Sequence, residues 1–257
     1  MMMFSILKRN KLWCIPLLAI PILFILNYQI TIFRYLFPSK VWSHRVNSIE
    51  KYQEANVLFS GVELDVVYDH FNDSFDVNHP PAKSIGLSLF KFLKSKSDYS
   101  DFGIWLDFKN LDELNCEKSA IKLYRITKAL NINPQNIIVE SNNSILLGDF
   151  LKKGFRTSYY LPFNISGFSE DHINIQKLLI NTSNVDYISS DVGDYNFLKK
   201  HFKEIKVLTW IINNPPKIKN LYTLKRSLIN FFRNFKVLND EKVNVVLFKF
   251  SAIKGNR

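Results

Sequence analysis

Residues 60–69 read SGVELDVVYD, and residues 102–109 read FGIWLDFK. In a β-strand, side chains i and i+2 point to the same face. In the first stretch Glu63 and Asp65 therefore project together, while Val62, Leu64 and Val66 project the other way. In the second, Trp105, Asp107 and Lys109 share one face, and Ile104, Leu106 and Phe108 share the opposite one. Each strand buries an apolar face and gathers charge on the other. A solvated sheet face is one explanation. The other is a cation held between the carboxylates.

Outward from these two stretches, short apolar runs alternate with amphipathic ones. Strands are expected at 41–46, 61–68, 102–108, 136–140, 155–160, 185–189, 205–212 and 243–249. Helices are expected at 48–58, 84–96, 113–130, 143–153, 170–181, 193–202 and 220–235. Eight strands alternating with helices imply parallel β/α units. That number fits a TIM (β/α)8 barrel, and a doubly wound open sheet is the alternative. No repeat or low-complexity linker divides the segment, so residues 41–257 are expected to form one domain. A barrel demands that functional residues lie near the C-terminal ends of its strands. His44, Glu63, Asp65, Asp107, Lys109, Glu140 and Trp210 all fall there in the expected elements.

The first forty residues differ in kind. Lys8, Arg9 and Lys11 precede an uncharged run from Leu12 to Leu26, and the charge-free stretch continues to Phe33. A span of that length crosses a hydrocarbon core of about 30 Å. A cleaved secretory signal is the competing reading, but no small-x-small site follows, and Tyr28, Ile30, Ile32 and Phe33 continue the apolar character. Residues 1–40 are thus expected to be a basic tip and a transmembrane signal anchor. The basic residues place the N-terminus in the cytoplasm and the barrel on the extracytoplasmic side.

The chain of 257 residues carries a net charge of +11, of which the first forty residues supply five units without an acid. The rest of the excess is scattered, with no basic block or aromatic-interleaved basic stripe, so no nucleic-acid partner is expected. An anionic substrate or membrane surface fits equally well. Cys14 and Cys116 lie in different parts of the chain and are not expected to pair. No CxxC, P-loop, GxGxxG or GxSxG is present, which removes several enzyme classes.

What remains is a constellation: WSHRVNS with His44, Arg45 and Asn47; ELD with Glu63 and Asp65; NHPP with His79; LDFK with Asp107 and Lys109. Three convergent carboxylates suit a hard divalent cation, Mg²⁺ or Ca²⁺. Two histidines suit a general acid and a general base. A lysine beside them would stabilise an anionic group. Together they describe a site for a phosphodiester.

These motifs resemble the glycerophosphodiester phosphodiesterase superfamily: HR ending the first strand, ExD in the second, and a histidine in the following loop. VLTWIINN resembles that superfamily's late strand with its tryptophan. The DxK of LDFK is similar to the sphingomyelinase D-type spider-toxin branch, where the bacterial enzymes usually have ExK. W-x-H-x-V-N-S, NHPPA and GIWLDFKNL resemble the menorin branch most closely. The resemblance covers Trp42 to Asn110, with Trp210 as a distant echo, and it departs at Val46, where the enzymes carry glycine.

The resemblance implies Glu63, Asp65 and Asp107 as metal ligands and His44 and His79 as the acid/base pair. Lys109 would contact phosphate, Trp210 would wall the pocket, and Arg45 and Asn47 would complete the substrate-binding set. The implied activity is metal-dependent cleavage of a glycerophosphodiester or a lysophospholipid-type headgroup, by hydrolysis or by attack of a neighbouring hydroxyl. The alternative is a non-catalytic extracytoplasmic binding or adhesion module that keeps the pocket. Single residues also have plainer readings: Lys109 as an ion-pair partner of Asp107 or Glu63, Glu140 as a supporting carboxylate or helix cap, Trp210 as core packing.

Overall fold

The computed structural model describes residues 21–211 and 218–251. Eight parallel strands, β1 (Val41–His44), β2 (Gly61–Asp69), β4 (Gly103–Phe108), β5 (Ile137–Ser141), β6 (Arg156–Tyr160), β7 (Tyr187–Asp191), β8 (Lys206–Ile211) and β9 (Val243–Lys249), follow one another around the sheet. β1 pairs with β9 on one side and with β2 on the other, through Ser43 opposite Val62, so the sheet closes into a barrel. The TIM-barrel reading holds, and the open-sheet alternative fails on that closure.

One element went unread. β3 (Ser74–Val77) folds back antiparallel on the last four residues of β2, from Val66 opposite Val77 to Asp69 opposite Ser74. β2 pairs with β4 only as far as Val66 opposite Phe108, so this hairpin projects beyond the barrel's C-terminal rim. Its strand SFDV is too short, and too mixed in character, to stand out from the polar loop around it.

Alternation along each strand sorts the residues. Val62, Leu64 and Val66, Ile104, Leu106 and Phe108, Ile137 and Val139, and Val246 and Phe248 face outward into one buried apolar layer. The helices α2 (Ile49–Leu58), α3 (Leu89–Lys94), α4 (Cys116–Ala129), α5 (Gly148–Lys152), α6 (Glu170–Ser183), α7 (Tyr195–His201) and α8 (Leu221–Leu238) cover that layer. Ser48, Ser88, Ser169 and Asn220 cap their helices with side-chain oxygens, satisfying amides that would otherwise lack partners. The lumen holds a second, smaller cluster of Trp42, Trp105, Ile138, Tyr187, Leu208, Val245 and Leu247. Trp42 fills the lower end, and Gly61 and Gly103 are required there because a Cβ on either would run into its indole.

Only the end of the expected N-terminal anchor falls within the described residues. Of the stretch Leu12–Phe33, residues 12–20 lie outside the described residues. Residues 21–27 are helical and lead into α1 (Gln29–Leu36). Leu26, Gln29 and Phe33 are buried, with Phe33 stacked on Phe231 of α8 and packed on Phe248 of β9. The last part of the uncharged stretch thus serves the barrel, because β9 needs an apolar cover on its outer face. The side chains of α1, N-terminal to the expected division at residue 40, pack against the barrel. Among the described residues no helix is long and apolar enough to cross a membrane.

Candidate active site

At the C-terminal rim the lumen opens into a cavity of about 300 Å³. Strand register builds it. Glu63 lies beside Trp105, Asp65 beside Asp107, Asp107 beside Glu140, and Glu140 beside Ser158, all on the lumen face. One ligand oxygen from each of Glu63, Asp65 and Asp107 lies within 4.8 Å of the others. Carboxylate oxygens at that spacing fit the requirements of a hard divalent cation. Lys109 joins the cluster: its ammonium donates to Asp65 Oδ1 at 2.8 Å and forms a short contact with Asp107 Oδ2.

Two histidines flank the acids. His44, at the end of β1, has Nε2 3.6 Å from Glu63 Oε2, and its Nδ1 is buried without a partner. Burial, followed by the positive charge of Arg45, pushes its pKa down to about 3 against the pull of Asp65. The ring is therefore neutral at neutral pH. His79 comes from the loop after β3, with Nε2 4.0 Å from Asp65 Oδ1 and 3.3 Å from Arg45 Nη2. Its Nε2 thus lies between a donor, Arg45 Nη2, and an acceptor, Asp65 Oδ1.

Arg45 adopts a left-handed backbone, φ 53°, which a non-glycine residue takes at a cost. The strain turns its amide onto Glu63 Oε2 at 2.7 Å. Lys51, held on the first turn of α2 by the Ser48 cap, donates to the carbonyls of His44 and Arg45 at 2.9 and 2.7 Å and fixes the same turn from behind.

Burial and mutual repulsion raise the acids. Glu63 is pushed well above the ordinary carboxylate range by burial, then by Asp65 and Asp107. Burial also raises Asp107, with Lys109 opposing. Lys109 loses basicity to burial but gains more from Asp107 and Asp65, and ends above its ordinary value. Glu140 is pushed up to about 8 by burial and by Asp107, although Ser158 Oγ donates to it at 3.0 Å.

Of the residues singled out from the sequence, His44, Arg45, Glu63, Asp65, His79, Asp107, Lys109 and Trp210 line this one cavity. Asn47 does not line it. Its Nδ2 donates to Asp65 Oδ2 at 2.7 Å, and its Oδ1 accepts from the Asp65 amide at 3.0 Å, so it holds a carboxylate in place. Glu140, read from the sequence as a supporting carboxylate or a helix cap, reaches the cavity as a lining residue. Tyr160, Phe163 and Lys249 also line it and carried no motif. Tyr160 and Lys249 could have been found as lumen-facing positions two residues beyond Ser158 and Leu247. Phe163 sits in a loop whose path no periodicity encodes. Tyr160 meets Trp210 edge-on at 5.2 Å, forming an aromatic wall.

Solved structures share the fold. A phosphodiesterase from Oleispira antarctica, in complex with sn-glycerol-3-phosphate, superposes with a TM-score of 0.56 at 14% identity, over 83% of this chain and 94% of that one. A glycerophosphodiester phosphodiesterase from Thermotoga maritima gives 0.54 at 16%, over 80% and 92%. One from Parabacteroides distasonis gives 0.54 at 15%, over 82% and 92%. At these identities the likeness is one of fold. No protein-family model matches the sequence, and neither does any curated protein sequence.

Proposed function

We propose that this chain is a metal-dependent phosphodiesterase acting on a glycerophosphodiester or lysophospholipid-type substrate. The observation that carries the reading is the convergence of Glu63, Asp65, Asp107, Lys109, His44 and His79 on one cavity at the rim of a TIM barrel. The fold shared with glycerophosphodiester phosphodiesterases supports it, as does the product held by the Oleispira enzyme. The motifs around Trp42–Asn110 add the likeness to the menorin branch.

Glu63, Asp65 and Asp107 would hold a Mg²⁺ or Ca²⁺ ion, which when bound neutralises charge on a phosphate oxygen. Lys109 would then leave the carboxylate pair for another phosphate oxygen, and Arg45 offers its guanidinium at the mouth. His44 starts neutral and accepts the proton of the attacking oxygen. An anionic phosphoryl group beside the ring raises its basicity as substrate enters. His79 supplies a proton to the leaving alkoxide. Water as the attacking group gives hydrolysis; a neighbouring substrate hydroxyl gives a cyclic phosphate. Tyr160 and Trp210 wall the organic part of the substrate. The basic residues and uncharged run at the N-terminus support an anchor that holds the barrel on the extracytoplasmic side of a membrane.

The test is ³¹P NMR of glycerophosphocholine and lysophosphatidylcholine incubated with the full chain and either cation. Full turnover in both His44→Ala and His79→Ala would sink the mechanism. A second reading, a non-catalytic binding module, takes Lys109 as a standing ion-pair partner of Asp65 and Asp107. That reading expects no turnover of any phosphodiester.

A further inference from the structure

The direction of α1 fixes which end of the barrel residues 21–27 lie at. Gln29 donates to Ser227, Phe33 stacks on Phe231, Phe37 packs on Phe235 and Lys40 donates to the Leu238 carbonyl. All four pairs share one separation, 198 residues. α1 and α8 therefore run side by side in the same direction. α8 follows β8, so it starts at the C-terminal rim and descends; its last residues lie against Lys40, just below the start of β1. α1 descends with it. Traced backward, the chain climbs, and residues 22–24 stand level with the start of α8. Residues 21–27, with Ile22, Leu23, Phe24 and Ile25 exposed, thus lie beside the mouth of the cavity, not at the opposite end.

The rim itself is apolar where it faces outward. Leu114 and Ile145 stand exposed in the loops after β4 and β5, and Phe163 in the loop after β6. Phe71 is fully exposed at the tip of the projecting hairpin. Leu221 and Tyr222, at the top of α8, are exposed beside Lys219, Lys225 and Arg226. The turns that lead from each helix into the next strand, at the lower end, carry no exposed large apolar side chain among the described residues. Single apolar side chains suit a bilayer interface, and the basic start of α8 adds attraction to an anionic one, although Phe71 and Leu114 stand beside Asp69, Asp73, Asp112 and Glu113.

We propose that this rim is a bilayer-docking surface, and that the cavity takes a phosphodiester from lipid in the leaflet it faces. The substrate part rests on the phosphodiesterase reading; the docking geometry stands without it. Phe163, at once exposed and lining the cavity, marks where the acyl or glyceryl part of a lipid would leave the mouth. The lower end offers a rival face, since Tyr35 and Leu36 at the end of α1 and Val57 and Leu58 at the end of α2 are also exposed. The course of α1 argues against it, because the exposed apolar residues Ile22, Leu23, Phe24 and Ile25 lie at the other end.

The test uses the full chain in vesicles of phosphatidylcholine and phosphatidylglycerol. In a background with Cys14→Ala and Cys116→Ala, a fluorophore is placed on Leu114→Cys at the rim or Ser100→Cys at the lower end, with nitroxide-labelled lipid as quencher. Strong quenching at residue 114 and little at residue 100 is expected. Equal or reversed quenching, or no association with vesicles, overturns the proposal. Separately, Leu114→Asp with Ile145→Asp should lower turnover of vesicle-borne lysophosphatidylcholine about tenfold. Turnover of soluble glycerophosphocholine should stay unchanged, and Val57→Asp should change neither. Unchanged vesicle turnover in the rim variant, or equal loss on both substrates, overturns the docking role. If wild type turns over neither substrate, the phosphodiesterase reading falls, and the quenching result still decides the docking by itself.

Discussion

The two ends of the barrel lumen are built from the same strands and do opposite work. Along β2 the lumen-facing residues run Gly61, Glu63, Asp65; along β4, Gly103, Trp105, Asp107; along β5, Ile138 then Glu140. Below, Trp42 sits against two glycines inside an apolar cluster. Above, four carboxylates share one small cavity with Lys109. The lower end stabilises the fold by burying large apolar surface without strain. The upper end costs stability, through buried like charges and a left-handed Arg45, and is held by neighbours such as Asn47 and Lys51. A change below should therefore alter folding and spare chemistry, and a change above should do the reverse.

The largest contrast is expected at the histidines. His44→Ala or His79→Ala should cut kcat/KM by about 10²- to 10⁴-fold, the usual contribution of a general acid or base. Thermal unfolding should move little, since neither ring anchors the apolar layers. Initial rates and melting curves on the same preparations check both halves. Loss of activity that tracks loss of folding would break the contrast.

Below, Trp42→Ala should destabilise by about 3–5 kcal/mol, because the lumen cannot collapse around two glycines to refill the space. Turnover per folded molecule should stay near wild type. Urea unfolding and rates normalised to the folded fraction measure it. Gly103→Ala should act in the same direction by overpacking, at about 1–3 kcal/mol.

Why the two ends were not equally legible follows from the same geometry. Strand positions and the sorting of residues into lumen and outer layer were readable, because period-two alternation is local and each strand carries it. His44, Glu63, Asp65, Asp107 and Lys109 were readable because they sit on that alternation. The Trp42 plug was not: only the closed barrel brings Trp42 against Gly61 and Gly103. Nor was the role of Asn47, whose partner Asp65 lies on the next strand. Length, apolar character and the basic residues before it are all that the sequence offers for the uncharged run. Burial of Phe33 against Phe231, almost two hundred residues away, leaves no mark that distinguishes a barrel-covering helix from the end of a membrane span.

The cost of the upper end can be isolated at Glu140. Its folded pKa of about 8 lies above the ordinary value of 4.5, so the folded state holds a proton that the unfolded chain releases. Its effect on stability is neutral below about pH 4.5 and turns increasingly unfavourable as pH rises toward about 8. His44 works the other way: its folded pKa of about 3 lies below 6.5, so stability is lost as pH falls through that window. The difference between wild type and Glu140→Gln cancels the His44 part. Glutamine keeps an acceptor for Ser158 and cannot ionise. Between about pH 5 and about pH 8, wild type should lose on the order of 3–4 kcal/mol more than the variant. Parallel curves would mean that Glu140 is not held protonated.

The smallest expected effect concerns the cation itself, and it decides what the carboxylates are for. Glu63, Asp65 and Asp107 bring up to three negative charges together, and Lys109 offsets one. An ion bound there would stabilise the folded state by mass action and leave the lower end untouched. For a cation at about ten times its dissociation constant, the gain is roughly 1.4 kcal/mol, a rise of a few degrees in melting temperature. Melting curves of the full chain in detergent, with millimolar Mg²⁺ or Ca²⁺ or with chelator, should show that rise in wild type. Asp65→Asn should show much less of it. With chelator present the variant should match or exceed wild type, because one of the repelling charges is gone while Lys109 keeps Asp107. Trp42→Ala should keep the full metal response on a lower baseline, since its lesion lies at the other end of the lumen. A wild type indifferent to both cations would return the three acids to an ion-pair cluster around Lys109 and remove the chemical reason for their place at the rim.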